Sequence, residues 1–99
     1  AGDGVVDLTA RNLAMSAAMV VHHRNSGDEA QAMGSERVNQ RCTELLRQLD
    51  SQRVKERLET LLDAASHSRG DDLSFLERWG YDAEQKNAIG EAVEAVAEM

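Results

Sequence analysis

Three places in this chain carry side chains able to act on a substrate or hold a metal. They are the adjacent pair His22 and His23, the single cysteine Cys42, and the segment Ser66-His67-Ser68 that runs on to Asp71 and Asp72. Neighbouring positions on a helix point about 100° apart, so His22 and His23 do not converge on one ion as an i, i+4 pair does. Near a helix C-terminus they suit the negative end of the dipole instead. Cys42 lies on an apolar helical stripe with no helix N-terminus beside it to stabilise a thiolate, which predicts a core position. Ser66, His67 and Asp71 bring a hydroxyl, an imidazole and a carboxylate together, but in a loop. A triad needs those groups held in hydrogen-bond reach by a rigid frame. The string Arg69-Gly70-Asp71 is read as chance, and turn and capping chemistry accounts for the whole segment. The chain has no His-Glu-x-x-His, Cys-x-x-Cys, EF-hand loop or phosphate-binding glycine fingerprint. No catalytic residue, metal or cofactor is therefore expected.

Contact chemistry is more concentrated. Phe75, Trp79 and Tyr81 are the chain's three aromatic residues and lie within seven positions. Phe75 and Trp79 are four apart and share a helical face beside Leu76, and Tyr81 follows Gly80. The cluster predicts either a wedge docking a short helix on the core or an anchor for a partner. Met15 and Met19 offer a second, adaptable surface, with Met33 near it. The candidate partner-binding residues are thus Met15, Met19, Phe75, Leu76, Trp79 and Tyr81.

The elements that must carry these residues read as helices. The chain has no proline, and its apolar residues are mostly Leu, Val, Ala and Met. Residues 1–6 are expected to be flexible, with Asp7 or Thr9 capping a first helix that runs to about Arg24 and is apolar almost all round. Asn25-Ser26-Gly27 stops it. Asp28 or Ser35 starts a second helix, on which Val38, Cys42, Leu45, Leu46 and Leu49 form a stripe. Val54, Leu58, Leu61, Leu62 and Ala65 repeat those spacings 16 residues on. In one unbroken helix the two stripes would face about 160° apart, so a break at Asp50-Ser51 predicts a hairpin over about 35–67; a single long helix is the alternative. Asp71 and Asp72 suit the start of a short helix to Trp79. Asp82 with Gln85 opens the last helix, expected to fray after Val96 because its C-terminal end is acidic. The stretch Trp79-Gly80-Tyr81-Asp82-Ala83-Glu84-Gln85, followed by Ala88-Ile89, resembles the Met-Gly-Phe loop and second helix of ubiquitin-associated domains over about twenty residues. What is shared is capping logic, and no function is carried over from it.

Size and charge bound the rest. Ninety-nine residues make one domain, 1–99, and a chain of this length buries only about 65% of its unfolded surface. A homodimer would relieve that thin margin. The net charge of −7 favours basic partners and argues against nucleic acid or anionic membrane. It is unevenly spread: Arg37 to Arg57 holds six bases against three acids, and Asp71 to Met99 eight acids against two bases. These regions are expected to attract each other within the fold or across a dimer. The longest apolar run, Leu13 to Val21, is short of the ~20 residues of a membrane span. One cysteine fits a reducing compartment, and Arg in excess of Lys hints at a GC-rich bacterial genome. The sequence thus predicts an all-α bundle of four to five helices, dimeric and cytoplasmic. Its expected role is a non-catalytic protein-protein interaction module that regulates or sequesters a partner such as a transcriptional regulator or secreted protein, as anti-activator, adaptor or chaperone-like protein. The alternative is a small helical enzyme, or enzyme subunit, using His22, His23 or His67 with carboxylates.

Overall fold

Three aspartates punctuate the chain. Asp28 accepts a hydrogen bond from the Gln31 amide at 3.1 Å. Asp50 accepts from the amides of Gln52 at 3.0 Å and Arg53 at 3.1 Å. Asp82 accepts from the Gln85 amide at 2.8 Å, and the Asp82 amide donates back to Gln85 Oε1 at 3.0 Å, a reciprocal capping box. The computed structural model describes residues 2–70 and 72–97. It places them in α1 (Gly2–Asn25), α2 (Glu29–Gln48), α3 (Ser51–His67), α4 (Leu73–Trp79) and α5 (Ala83–Ala97). Gly27 and Gly80 end α1 and α4 at φ +77 and +66, a conformation that costs glycine little.

The helix boundaries correct the sequence at the start of α1 and the end of α3. The chain is helical from Gly2, and Val6 is already core, so residues 2–6 are not a flexible lead-in and neither Asp7 nor Thr9 is a cap. Asp7 turns sideways onto Arg57, while Thr9 bonds back to the Val5 carbonyl at 2.7 Å. Ala1 lies outside the described residues. Of the two starts expected for α2, Asp28 is the one used, with Gly34 inside the helix. Helix α3 takes up Ser66 and His67, and the turn begins at Ser68, which is left-handed at φ 52.

The break at Asp50 is where the repeat's phase shift requires it. Yet α2 and α3 touch each other little. Helix α1 is the hub, packing along α2 and α5 and against α3, and α5 closes the far side against α3. The two similar stripes consequently serve different neighbours. Val54, Leu58 and Leu61 are buried, whereas Val38 and Leu45 stay 44% and 41% exposed at the edge of α2. The core is completed by Leu13, Leu46, Leu76 and Ile89. Small residues on α1 (Ala10, Ala14, Ala17, Ala18) let its neighbours approach closely.

Gly4–Asn25 within α1 corrects the membrane reading. This helical stretch of 22 residues has a mean hydropathy of 1.2, long and apolar enough by length and composition to cross a membrane. Counting only Leu13–Val21 missed it, because Val5, Val6, Leu8 and Ala10 extend the run across Asp7 and Arg11. In the fold, however, 44% of its apolar window is packed inside the molecule.

The opposed charges along the chain are joined inside the fold. Arg57 of α3 donates to both oxygens of Asp72, at 2.5 and 2.8 Å, and to Asp7 of α1 at 2.9 Å. Asp72 is buried and makes no cap of its own at α4, contrary to its expected role. Burial disfavours the charged guanidinium of Arg57, but the hydrogen bonds and charges of Asp72 and Asp7 outweigh it, and its pKa is raised. Arg47 supplies the cation that the end of α5 lacks, donating to the carbonyls of Ala95 at 2.5 Å and Val96 at 3.4 Å. Helix α5 runs to Ala97 with these bonds; Glu98 and Met99 lie outside the described residues. Removing Arg57 strands a buried carboxylate. Arg57→Met should cost about 3–5 kcal/mol in urea unfolding, and Arg57→Met with Asp72→Leu should recover much of that loss. Equal losses in the single and double variants would show that the pair is not a buried clamp.

Candidate partner-binding surfaces

The aromatic segment is split between core and surface. Leu76 is fully buried and Tyr81 is buried at the joint between α4 and α5. Burial pushes the Tyr81 phenol above its ordinary pKa. Phe75 is partly buried against the core, with the Arg11 guanidinium 5.8 Å from its ring centroid. Trp79 remains 55% exposed. It is four residues from Phe75 on α4 and so shares its helical face. Leu76 and Tyr81 therefore belong to the core at this joint, and Trp79 is the exposed aromatic of the segment. Leu76→Ala should cost about 2–5 kcal/mol of stability and Trp79→Ala at most about 1 kcal/mol. Comparable losses in chemical denaturation would place Trp79 in the core.

Met15 and Met19 are half-buried on the outward side of α1, in line with Leu8 at 61% exposure and Val5 at 45%. Helix α1 is thus buried on one side only, not all round. Met33 is exposed on α2. A second apolar feature escaped the sequence. A groove of about 440 Å³ lies between the end of α2, α3 and α5. Leu46, Val54, Leu58, Leu62, Val93 and Val96 line it, and Lys55, Glu59 and Glu94 stand at its rim. Its walls come from three helices, so no single periodicity could reveal it.

The groups that invited catalytic readings are placed as follows. The rings of His22 and His23 meet edge to face, with centroids 5.4 Å apart, at the end of α1. Their backbone carbonyls accept from the amides of Ser26 and Asp28. His67 is exposed in the last turn of α3. Among the described residues no three His, Cys, Asp or Glu side chains gather as a metal site would require. Cys42 is buried, as its stripe position predicts, and burial pushes its thiol up. On the exposed surface Arg24 bonds Glu36 at 2.6 Å and Glu29 at 3.4 Å, which raises its pKa and ties α1 to α2.

Cys42 and Tyr81 make stability fall at alkaline pH. Both are held neutral by burial, so their folded pKa values exceed the unfolded ones. Their contribution is intact below the unfolded values, near 9.0 and 10.0, and is lost as pH rises through the folded ones. Thermal midpoints should decline above about pH 9, and Cys42→Ala should delay that decline toward pH 10. A decline unchanged by Cys42→Ala would contradict this.

Comparison with curated proteins and with solved structures found no match to the chain. Residues 1–96 match the family described as Uncharacterised conserved protein UCP020893, and the chain belongs to that family.

Proposed function

We propose that the chain is a non-catalytic protein-protein interaction module that regulates or sequesters a protein partner, working in the cytoplasm without cofactor or nucleic acid. The observation that carries this reading is the outward row of apolar side chains on α1, Val5, Leu8, Met15 and Met19, with Trp79 exposed on α4. Surface Leu and Trp of this exposure are costly to solvate, and such side chains anchor interfaces. The cytoplasmic setting is supported by the lone buried cysteine and by the packing of α1 into the core.

Capture of the full chain from its native cell, followed by mass spectrometry, tests the reading. Wild type should retain a protein partner, and Leu8→Asp and Trp79→Ala should each lose it while keeping wild-type helicity. Retention of the same partner by both variants would contradict the proposal, as would its absence from wild type.

Homodimerisation is the second part of the proposal, and we seat the second copy on the α3–α5 groove. Its rim carries charges of both signs, Lys55 against Glu59 and Glu94, which can pair reciprocally about a two-fold axis. Light scattering should give a dimer mass that Leu62→Glu reduces to the monomer. A monomer mass for wild type would end this part of the proposal.

A further inference from the structure

Helix α4 stands apart from the other four in how it is held. Among the described residues it packs against α3 alone, whereas α1, α2, α3 and α5 hold one another by pairings in which α4 has no part. Its seven residues fall below the ~12 that a helix needs to persist alone in water. Asp72 gives it no side-chain cap, because that carboxylate is engaged by Arg57. Three ties keep it in place. They are the Arg57–Asp72 pair at its head, fully buried Leu76, and Phe75, partly buried beneath Arg11.

The chain on either side is anchored without α4. Asp82 and Gln85 close their own capping box, and Gln85 Nε2 donates to the Ala18 carbonyl of α1 at 3.1 Å. Asn25 of α1 donates to Glu84 at 2.9 Å. The start of α5 is thereby fixed to α1. Ser66 of α3 and Ala83 of α5 line a common cleft, so the stretch between them leaves the α3–α5 pair and returns to it. A glycine stands on each side of α4, Gly70 at φ +95 and Gly80 at φ +66. Glycine adopts negative φ as readily as these values, so both positions can turn at little steric cost.

We propose that residues 72–79 form a hinged flap that opens about Gly70 and Gly80 while the other four helices stay packed. The Arg57–Asp72 pair is its latch. Closed, the flap places Leu76 in the core. Open, it joins Leu76 and Phe75 to Trp79 on one apolar face, because positions 75, 76 and 79 lie within about 100° of arc. Tyr81 stays with the anchored start of α5. The aromatic segment thus serves the core in one state and offers a contact face in the other. That use of the open face rests on the interaction reading above; the opening itself does not. A partner that takes the open face binds in proportion to the fraction of open chains, so the latch sets its apparent affinity.

Native-state hydrogen exchange on the purified full-length chain tests the flap, followed amide by amide across a urea series below the unfolding transition. The amides of Leu76 to Trp79 should share one opening equilibrium. It should be at least about tenfold more populated than that of Leu13 and Ala14 in α1, with a urea slope that is measurable but smaller than theirs. No urea slope in α4 would mean fraying alone, and the same slope and opening as α1 would mean no separate unit; either overturns the proposal. Asp72→Asn should speed exchange of the α4 amides about tenfold or more, since Arg57 loses its bidentate partner. Gly80→Ala acts on the hinge and keeps the test open if Asp72→Asn does not fold. The added methyl meets no other part of the fold within 4 Å, yet φ +66 strains alanine in the closed state. It should speed the same amides severalfold with helicity kept, and indifference of the α4 amides to it would also overturn the proposal. Failure of the flap leaves the interaction reading standing, because Trp79 and Leu8 are exposed in the closed state. That reading falls only on the capture experiment.

Discussion

Arg57 joins three parts of the chain that nothing else joins so directly. Its guanidinium takes both oxygens of buried Asp72 at the head of α4 and a third bond to Asp7 of α1. Burial makes this arrangement demanding. Arg57 and Asp72 have largely left water, and the bidentate geometry compensates, with no buried side-chain polar atom left unbonded among the described residues. With α4 fixed at its first residue, Leu76 and Tyr81 fall into the core and Trp79 is carried outward. The same clamp holds the N-terminal half of α1 against α3. What the surface offers a partner follows from where this one interaction holds the frame.

The fold was legible in the sequence where a side chain bonds locally. Asp28, Asp50 and Asp82 act on amides two or three residues away, so their spacing alone locates the starts of α2, α3 and α5. The repeat offset of 16 residues likewise reports the break at Asp50, because helix phase is a property of the chain itself. Long-range bonds were not legible. Asp72 looks like a cap at the head of α4, and only Arg57, 15 positions away, makes it a clamp instead. The C-terminal turn of α5 looks ready to fray until Arg47 reaches it from α2. Val38 and Leu45 look like core because periodicity shows which residues share a face, not whether a neighbour covers that face.

The candidate site was half legible. Met15, Met19 and Trp79 were recognisable by type and lie at the surface. Leu76 and Tyr81 shared the same seven residues and went to the core. Aromatic and leucine side chains supply core and interface with the same apolar area, so composition cannot divide them; position relative to Gly80 and the clamp does. The stripe on α1 shows the same ambiguity at larger scale. A helix apolar on nearly every side is compatible with a bilayer, with the hub of a bundle, or with a hub that keeps one face for a partner. In the fold α2, α3 and α5 pack against one side of α1. In the proposed reading, the other side is the functional surface.

Methionine oxidation footprinting tests this claim most directly, because the chain carries its own control. Met15 and Met19 lie on the uncovered side of α1, whereas Met33 is 50% exposed on α2, about 140° around that helix from Val38. All three can be followed as sulfoxides in one digest. With the full chain in its native extract, compared with the purified protein at the same oxidant dose, the account predicts slowed oxidation at Met15 and Met19 and no change at Met33. Slowing at Met33 alone, or unchanged rates at Met15 and Met19, would contradict it.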